Sequence, residues 1–325
     1  MFEVPALFEN AGDNFYIDAR LPMLDKHLEY MWMDVLRQGN TRQPGLSDWN
    51  KQLEALYELG IGMDAALQFL FAKQPSLDEF KSWIDQNTRT LAPVSDLEED
   101  VLTAEDLCFF EEKGYVVLRA AVSQTSAAAA KAAIRDFLGI DENDPATWYT
   151  QHPQKKGLML NLTDHPALAV NRSSSRIKKA FEQLYESKNL LCNIGITSFN
   201  PPVIPEYNFM GEGLHWDVSL KQPITFLLQG LLYLSDCSAL EGAFHCVPGF
   251  HKKVGEWLQT LSPQENPREL VKQFEAVPVT GQAGDLIIWQ QALPHCATPN
   301  KGTRPRYVQY VSYRPKGYVE TGEWI

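Results

Sequence analysis

Residues 284–313 read GDLIIWQQALPHCATPNKGTRPRYVQYVSY. The apolar, β-branched run Leu286-Ile287-Ile288-Trp289 has the composition of a buried strand, and Arg306–Tyr313 has that of a second. Between them lie the pair Pro294-His295 and a polar turn, Asn300-Lys301-Gly302-Thr303. Strand, turn and strand at this spacing predict an antiparallel return. The return brings Arg306, eleven residues beyond His295, back beside that histidine.

Upstream the same pattern continues. Short strands are predicted at Leu190–Phe199, Leu214–Val218, Ile224–Leu234, Ala243–Val247 and Ala276–Val279, separated by Gly and Pro. Residues 253–274 read as helical in their midst. Before residue 190 the helical period dominates. Helices are expected at Asp106–Lys113, closed by Gly114, at Ser126–Leu138, closed by Gly139, and at Ser174–Ser187, with the strand Tyr115–Arg119 between the first two. Earlier still, a helix follows Leu24, a second begins near Ser47 and stops at Gly60, and Ala65–Ala72 forms a third. The capping box Ser76-Leu77-Asp78-Glu79 opens a fourth. No internal repeat is visible. Helices first and many short strands after predict an α+β chain with a sheet sandwich or barrel as its core.

Charge divides the chain in a similar place. Among 325 residues with a net charge of −12, residues 1–106 hold 8 Lys and Arg against 20 Asp and Glu, and the remainder is balanced. That excludes the basic face a nucleic-acid binder needs. Five scattered cysteines without a CxxC spacing suit free thiols in a reducing compartment. The first twenty residues have no basic segment followed by an apolar one, and the longest apolar stretch, Ile224–Leu234, is too short to span a bilayer. A cytoplasmic chain with no membrane partner is the expectation.

The chemistry concentrates around Leu214-His215-Trp216-Asp217-Val218. In a strand, positions two apart share a face, so His215 and Asp217 present an imidazole and a carboxylate together while Trp216 points into packing. A single HxD pair is common. With His295 as a third donor it becomes a two-histidine, one-carboxylate face that leaves three positions of Fe(II) open. Arg306 supplies the planar fork suited to the far carboxylate of a 2-oxo diacid, whose near end chelates iron. Arg304, before Pro305, is the competitor. Gln229 and Tyr233 share the parity of Leu231, and Gln229 is the candidate for a further cofactor contact. His251, after the Pro248-Gly249 turn, and His245 are read as structural, His27 as a solvated or packed helical residue, and His152 and His165, each before a proline in loop sequence, as surface residues.

The chain resembles the phytanoyl-CoA dioxygenase-like family of Fe(II)/2-oxoglutarate-dependent oxygenases. The resemblance runs over roughly residues 105–315, through Phe110–Leu118, Leu214-His215-Trp216-Asp217, Gly242-Ala243-Phe244, Val247–His251, Gly284–Trp289, Pro294-His295 and Arg306. It implies a double-stranded β-helix (jelly-roll, cupin-like) core with flanking helices. By carry-over His215, Asp217 and His295 bind iron and Arg306 anchors 2-oxoglutarate, with O2 as the other co-substrate. The expected division is an acidic helical segment, 1–104, packing on an oxygenase domain, 105–325. The expected reaction is hydroxylation of an unactivated C–H bond of a small or carrier-bound substrate, with desaturation or cyclisation as variants. A cupin-type metal enzyme that does not use 2-oxoglutarate and a non-catalytic binding module are the rival readings. Arg306 discriminates against the first and the intact triad against the second.

Overall fold

The computed structural model describes residues 21–36, 49–89 and 94–318. The first twenty residues, and Ser47 at the expected start of the second helix, lie outside them.

Four helices come first: α1 (Leu21–Leu36), α2 (Trp49–Glu58), α3 (Met63–Lys73) and α4 (Leu77–Asn87). The expected capping box opens α4: Ser76 accepts from the Glu79 amide at 3.3 Å and the Glu79 carboxylate accepts from the Ser76 amide at 2.8 Å. The apolar stripes of these helices close on one another around Met31, Leu56, Leu70 and Phe80, all fully buried. Leu191 and Ile194, from the strand region, join that core. Polar contacts reinforce the join, with Lys316 on Glu58 at 3.0 Å and the Arg314 guanidinium over the Tyr57 ring at 5.6 Å.

The remaining helices are α5 (Ala104–Lys113), α6 (Gln124–Leu138), α7 (Pro166–Arg172), α8 (Ser175–Tyr185), α9 (Val254–Thr260) and α10 (Pro267–Leu270). Helix α7 was not expected. His165 caps it, its Nδ1 accepting from the Ala167 amide at 3.2 Å, and Pro166 supplies a first position that needs no donor.

Twelve strands follow the chain among the described residues: β1 (Tyr115–Leu118), β2 (Lys155–Lys156), β3 (Met159–Leu160), β4 (Leu190–Cys192), β5 (Thr197–Asn200), β6 (Leu228–Tyr233), β7 (Phe244–Cys246), β8 (Val277–Val279), β9 (Leu286–Gln290), β10 (His295–Ala297), β11 (Arg306–Tyr310) and β12 (Tyr313–Pro315). Seven of them form one antiparallel sheet in the order β1-β9-β6-β11-β5-β3-β2, and β10-β7-β8 form a second; β12 and β4 pair apart. This is the double-stranded β-helix core of an α+β chain.

Alternation along the strands explains the layers. Leu231, Tyr233, Ile287, Trp289 and Val308 point inward and meet Phe244 and Cys246 of the smaller sheet. Leu228, Leu232, Leu286, Ile288 and Tyr307 point outward, where α6 and α8 cover them with Ile134, Ile177 and Phe181.

The predicted strand Leu190–Phe199 is two strands, β4 and β5, and the predicted strand Leu214–Val218 is a correction. Only His215 enters a ladder, through a single bridge to His295. Gly213 and the residues beyond Asp217 follow irregular paths, so side-chain alternation there rests on contacts other than a sheet.

None of the five cysteines is paired, and burial separates their reactivity. Cys246 is pushed up to about 12, and Cys192 and Cys296 to about 11, so they remain thiols at neutral pH. Cys237 is raised as well and buried, and Cys108 alone is exposed. Titration of the native protein with a disulfide reagent is therefore expected to consume one thiol rapidly and the other four only after denaturation. Rapid reaction of two or more would contradict this burial.

Candidate metal centre

His215 and His295 lie side by side because their backbones pair, His215 N on His295 O at 3.0 Å and His295 N on His215 O at 3.1 Å. Their ring centroids are 4.7 Å apart. Each ring is fixed by the same local device. His215 Nδ1 donates to the Gly213 carbonyl at 2.8 Å, and His295 Nδ1 donates to the Leu293 carbonyl at 3.0 Å. A carbonyl can only accept, so each Nδ1 carries a proton and Nε2 is the atom each ring turns to the site. Those two nitrogens face one carboxylate: His215 Nε2 is 3.6 Å from Asp217 Oδ1, and His295 Nε2 is 3.4 Å from Asp217 Oδ2.

One donor atom from each residue lies within 4.8 Å of the others, and among the described residues no second group of three His, Cys, Asp or Glu side chains converges in this way. Two imidazoles and a carboxylate on one face suit Fe(II). The carboxyl is an anion ready for it. Its partial loss of water raises the pKa, but the hydrogen bond and charge of His295, the Gln229 amide and His215 outweigh this and hold it well below the usual carboxylate range.

Trp216, between the two ligand candidates, turns the other way as expected. It is 2 % exposed, donates Nε1 to the Ala292 carbonyl at 3.0 Å and packs on Phe250 and Trp257.

Arg306 opens β11, and its partner across the strands is Asn200. It shares the inward face with Val308 and is 1 % exposed. Its guanidinium donates to the Gly242 carbonyl and reaches Ser198 Oγ at 3.5 Å, while its buried Nε has no partner. No ion pair compensates it among the described residues, so an anion at this end of the barrel would be electrostatically favoured. Arg304 is exposed.

Gln229 also faces inward, but its amide is on Asp217, with Nε2 donating to Oδ2 at 2.8 Å. Two inward groups escaped the sequence reading. Ser198 and Tyr310 share the inward face with Arg306, and burial raises the Tyr310 hydroxyl, with Arg306 and Ser198 lowering it and Asp217 raising it. Their parity relative to Arg306 was the only available signal, and it became readable with the register of β5.

The other histidines stay apart. His245 pairs across strands with Cys296, on the face opposite the pair His295 and Cys246. His251 Nε2 meets the Glu111 carbonyl at 3.2 Å, and its ring packs on Gly114, where a Cβ would stand 2.4 Å from Nδ1. The His152 ring lies tilted against Phe137, with centroids 4.5 Å apart. A cavity of about 420 Å³ lies between Gln222–Leu227, α9 and Gln290–Ala292, and neither the three converging donors nor Arg306 line it.

The family model described as Phytanoyl-CoA dioxygenase (PhyH) matches residues 110–308. A phytanoyl-CoA dioxygenase homologue of Dictyostelium discoideum is 23 % identical over 266 residues, covering 66 % of this chain and 76 % of that protein. Among solved structures, AviO1 from Streptomyces viridochromogenes Tue57 superposes with a TM-score of 0.50 at 16 % identity, over 69 % of this chain and 100 % of that one. HygX from Streptomyces hygroscopicus, with nickel and 2-oxoglutarate bound, gives 0.49 at 18 % identity over 68 % and 90 %. At such identities the structural likeness concerns the fold. Among the described residues, no single helix is long and apolar enough to cross a membrane.

Proposed function

The chain belongs to the phytanoyl-CoA dioxygenase family of Fe(II)- and 2-oxoglutarate-dependent oxygenases, and from that premise we propose that it hydroxylates an unactivated C–H bond of a small organic or carrier-bound substrate. The observation that carries the reading is the convergence of His215, Asp217 and His295 on one point inside the same barrel that buries Arg306. The balanced reaction takes R–H, O2 and 2-oxoglutarate to R–OH, succinate and CO2.

His215, Asp217 and His295 would hold the iron, which when bound supplies the oxygen activation that the side chains themselves lack. The chain's own part is positional. The carbonyls of Gly213 and Leu293 keep the two Nε2 atoms aimed at the centre. Arg306 receives the distal carboxylate of 2-oxoglutarate, with Ser198 and Tyr310 as neighbouring hydroxyls. The apolar wall of Leu231, Ile287, Trp289 and Phe244 keeps bulk water from the reacting carbon. A carboxylate at 217 also fills the place that halogenation would require for chloride, which favours hydroxylation. We assign this chemistry to residues 105–325 and a scaffold role to the acidic segment 1–104. The five unpaired thiols favour a cytoplasmic setting.

A succinate-release screen with Fe(II), 2-oxoglutarate and a broad substrate panel tests the proposal. A product heavier by one oxygen is the expected result, and loss of two hydrogens would redirect the reading to desaturation or cyclisation. No iron-dependent succinate with any substrate, or in its absence, would overturn it.

A further inference from the structure

Asp217 does not sit in a strand ladder, because pairing ends with the bridge at His215. A carboxylate on an irregular segment keeps its rotamer freedom unless something fixes it. Two long side chains from distant elements reach this one. Gln229, on the inner face of β6, donates Nε2 to Asp217 Oδ2 at 2.8 Å. Arg268, from α10, donates Nη1 to the Trp216 carbonyl at 3.0 Å and Nη2 to the Val218 carbonyl at 2.8 Å, the two peptide oxygens on either side of Asp217. From this geometry we infer that Gln229 and Arg268 are positioning residues that together orient Asp217, one through its carboxylate and the other through its backbone. The inference rests on the reading of Asp217 as a metal ligand.

The arrangement has a chemical purpose. A carboxylate that turns freely can chelate through both oxygens and occupy a place the co-substrates need. With an amide proton already on Oδ2, the carboxylate is disposed to bind through one oxygen. The Gln229 Oε1 atom is buried without a partner, so the bond to Asp217 is what sets this side chain. Gln229 was expected at the co-substrate, and its position assigns it to the ligand instead. Arg268 does for the backbone what a ladder would have done, since its planar fork holds two carbonyls at once.

The test measures metal binding directly. Gln229→Met keeps length and removes the donor, and Arg268→Leu removes the backbone fork. Co(II) titration of each, followed by the visible charge-transfer band after loading with Fe(II) and 2-oxoglutarate, should show affinity lowered about 10- to 100-fold, the range seen when a supporting partner of a metal ligand is lost. The band should shift in Gln229→Met, with the thermal midpoint of that variant unchanged. Arg268→Lys, which can serve one carbonyl only, should fall between Arg268→Leu and the wild type. Unchanged Co(II) affinity in Gln229→Met would overturn the role of Gln229. If 2-oxoglutarate binding alone weakened, Gln229 would be a co-substrate contact and the metal reading would stand. A wild-type protein that takes up neither Co(II) nor Fe(II) would overturn the metal reading and this inference together.

Discussion

Asp217→Ala is expected to abolish iron-dependent succinate formation while leaving the fold in place. The carboxylate is the one anionic member of the converging group, and its two oxygens are the atoms that face both Nε2 nitrogens. Two neutral imidazoles alone cannot match the charge of a divalent ion, so affinity should fall beyond the roughly 10- to 100-fold that loss of a supporting partner costs. The side chain is 46 % exposed and belongs to no apolar cluster, so the core stays intact, and losing the bond from Gln229 should cost on the order of 1 kcal/mol. Asp217→Asn separates charge from shape. The wild-type carboxyl is held well below the usual carboxylate range, so at any ordinary assay pH this substitution compares an anion with a neutral group of equal size. Metal titration and a thermal melt of both variants check the expectation. Retention of Fe(II) binding by Asp217→Ala would remove Asp217 from the ligand set.

His295→Ala should be as damaging to turnover but less clean, since that ring is 7 % exposed and lies against Phe244 and Trp289. A cavity would form there, with its own cost. Asp217 is therefore the better probe of chemistry, and His295 the better probe of how the metal end of the barrel is packed.

What was legible in advance was whatever depends on short-range spacing. His215 and Asp217 are two apart, Trp216 lies between them, and the strand composition of Leu286–Gln290 and Arg306–Tyr310 survives in β9 and β11. Helix boundaries with strong local signals were readable too, as at Ser76 and Gly114. What was not legible depends on partners far away in the chain. The segment Leu214–Val218 has strand composition, yet beyond His215 it is held by Arg268, some fifty residues distant, and not by a sheet. Gln229 has the parity of a cavity residue, which it is. Only the fold shows that its amide meets Asp217. Helix α7 was read as loop because His165-Pro166 looks like a turn. The same pair is equally a cap followed by a first helical position. Ser198 and Tyr310 needed the register of β5 against β11 before either could be placed near Arg306.

Arg306→Leu should separate co-substrate binding from stability, and in opposite directions. In the wild type a guanidinium is 1 % exposed and bonded to a carbonyl and a hydroxyl, with no carboxylate in reach among the described residues and Nε unpartnered. Burying such a charge is costly, and replacing it by an apolar side chain of similar volume is often neutral or stabilising. The ligand-free variant should therefore melt no lower than the wild type. An arriving distal carboxylate changes the balance, because it supplies the missing counter-charge in a dry pocket. Removing one partner of a buried, hydrogen-bonded charge pair costs about 2–5 kcal/mol, which corresponds to a loss of roughly 30-fold to several thousand-fold in 2-oxoglutarate affinity. The wild type should also gain thermal stability on saturation with 2-oxoglutarate, and the variant should not. Metal affinity should be unaffected, since Arg306 touches none of the three donors. Should Arg306→Leu bind 2-oxoglutarate as tightly as the wild type, the anchor lies elsewhere and Arg304 becomes the next residue to replace. Should the ligand-free variant melt far lower, the buried charge is compensated by contacts stronger than one carbonyl and one hydroxyl, and the argument for an incoming anion loses its electrostatic basis.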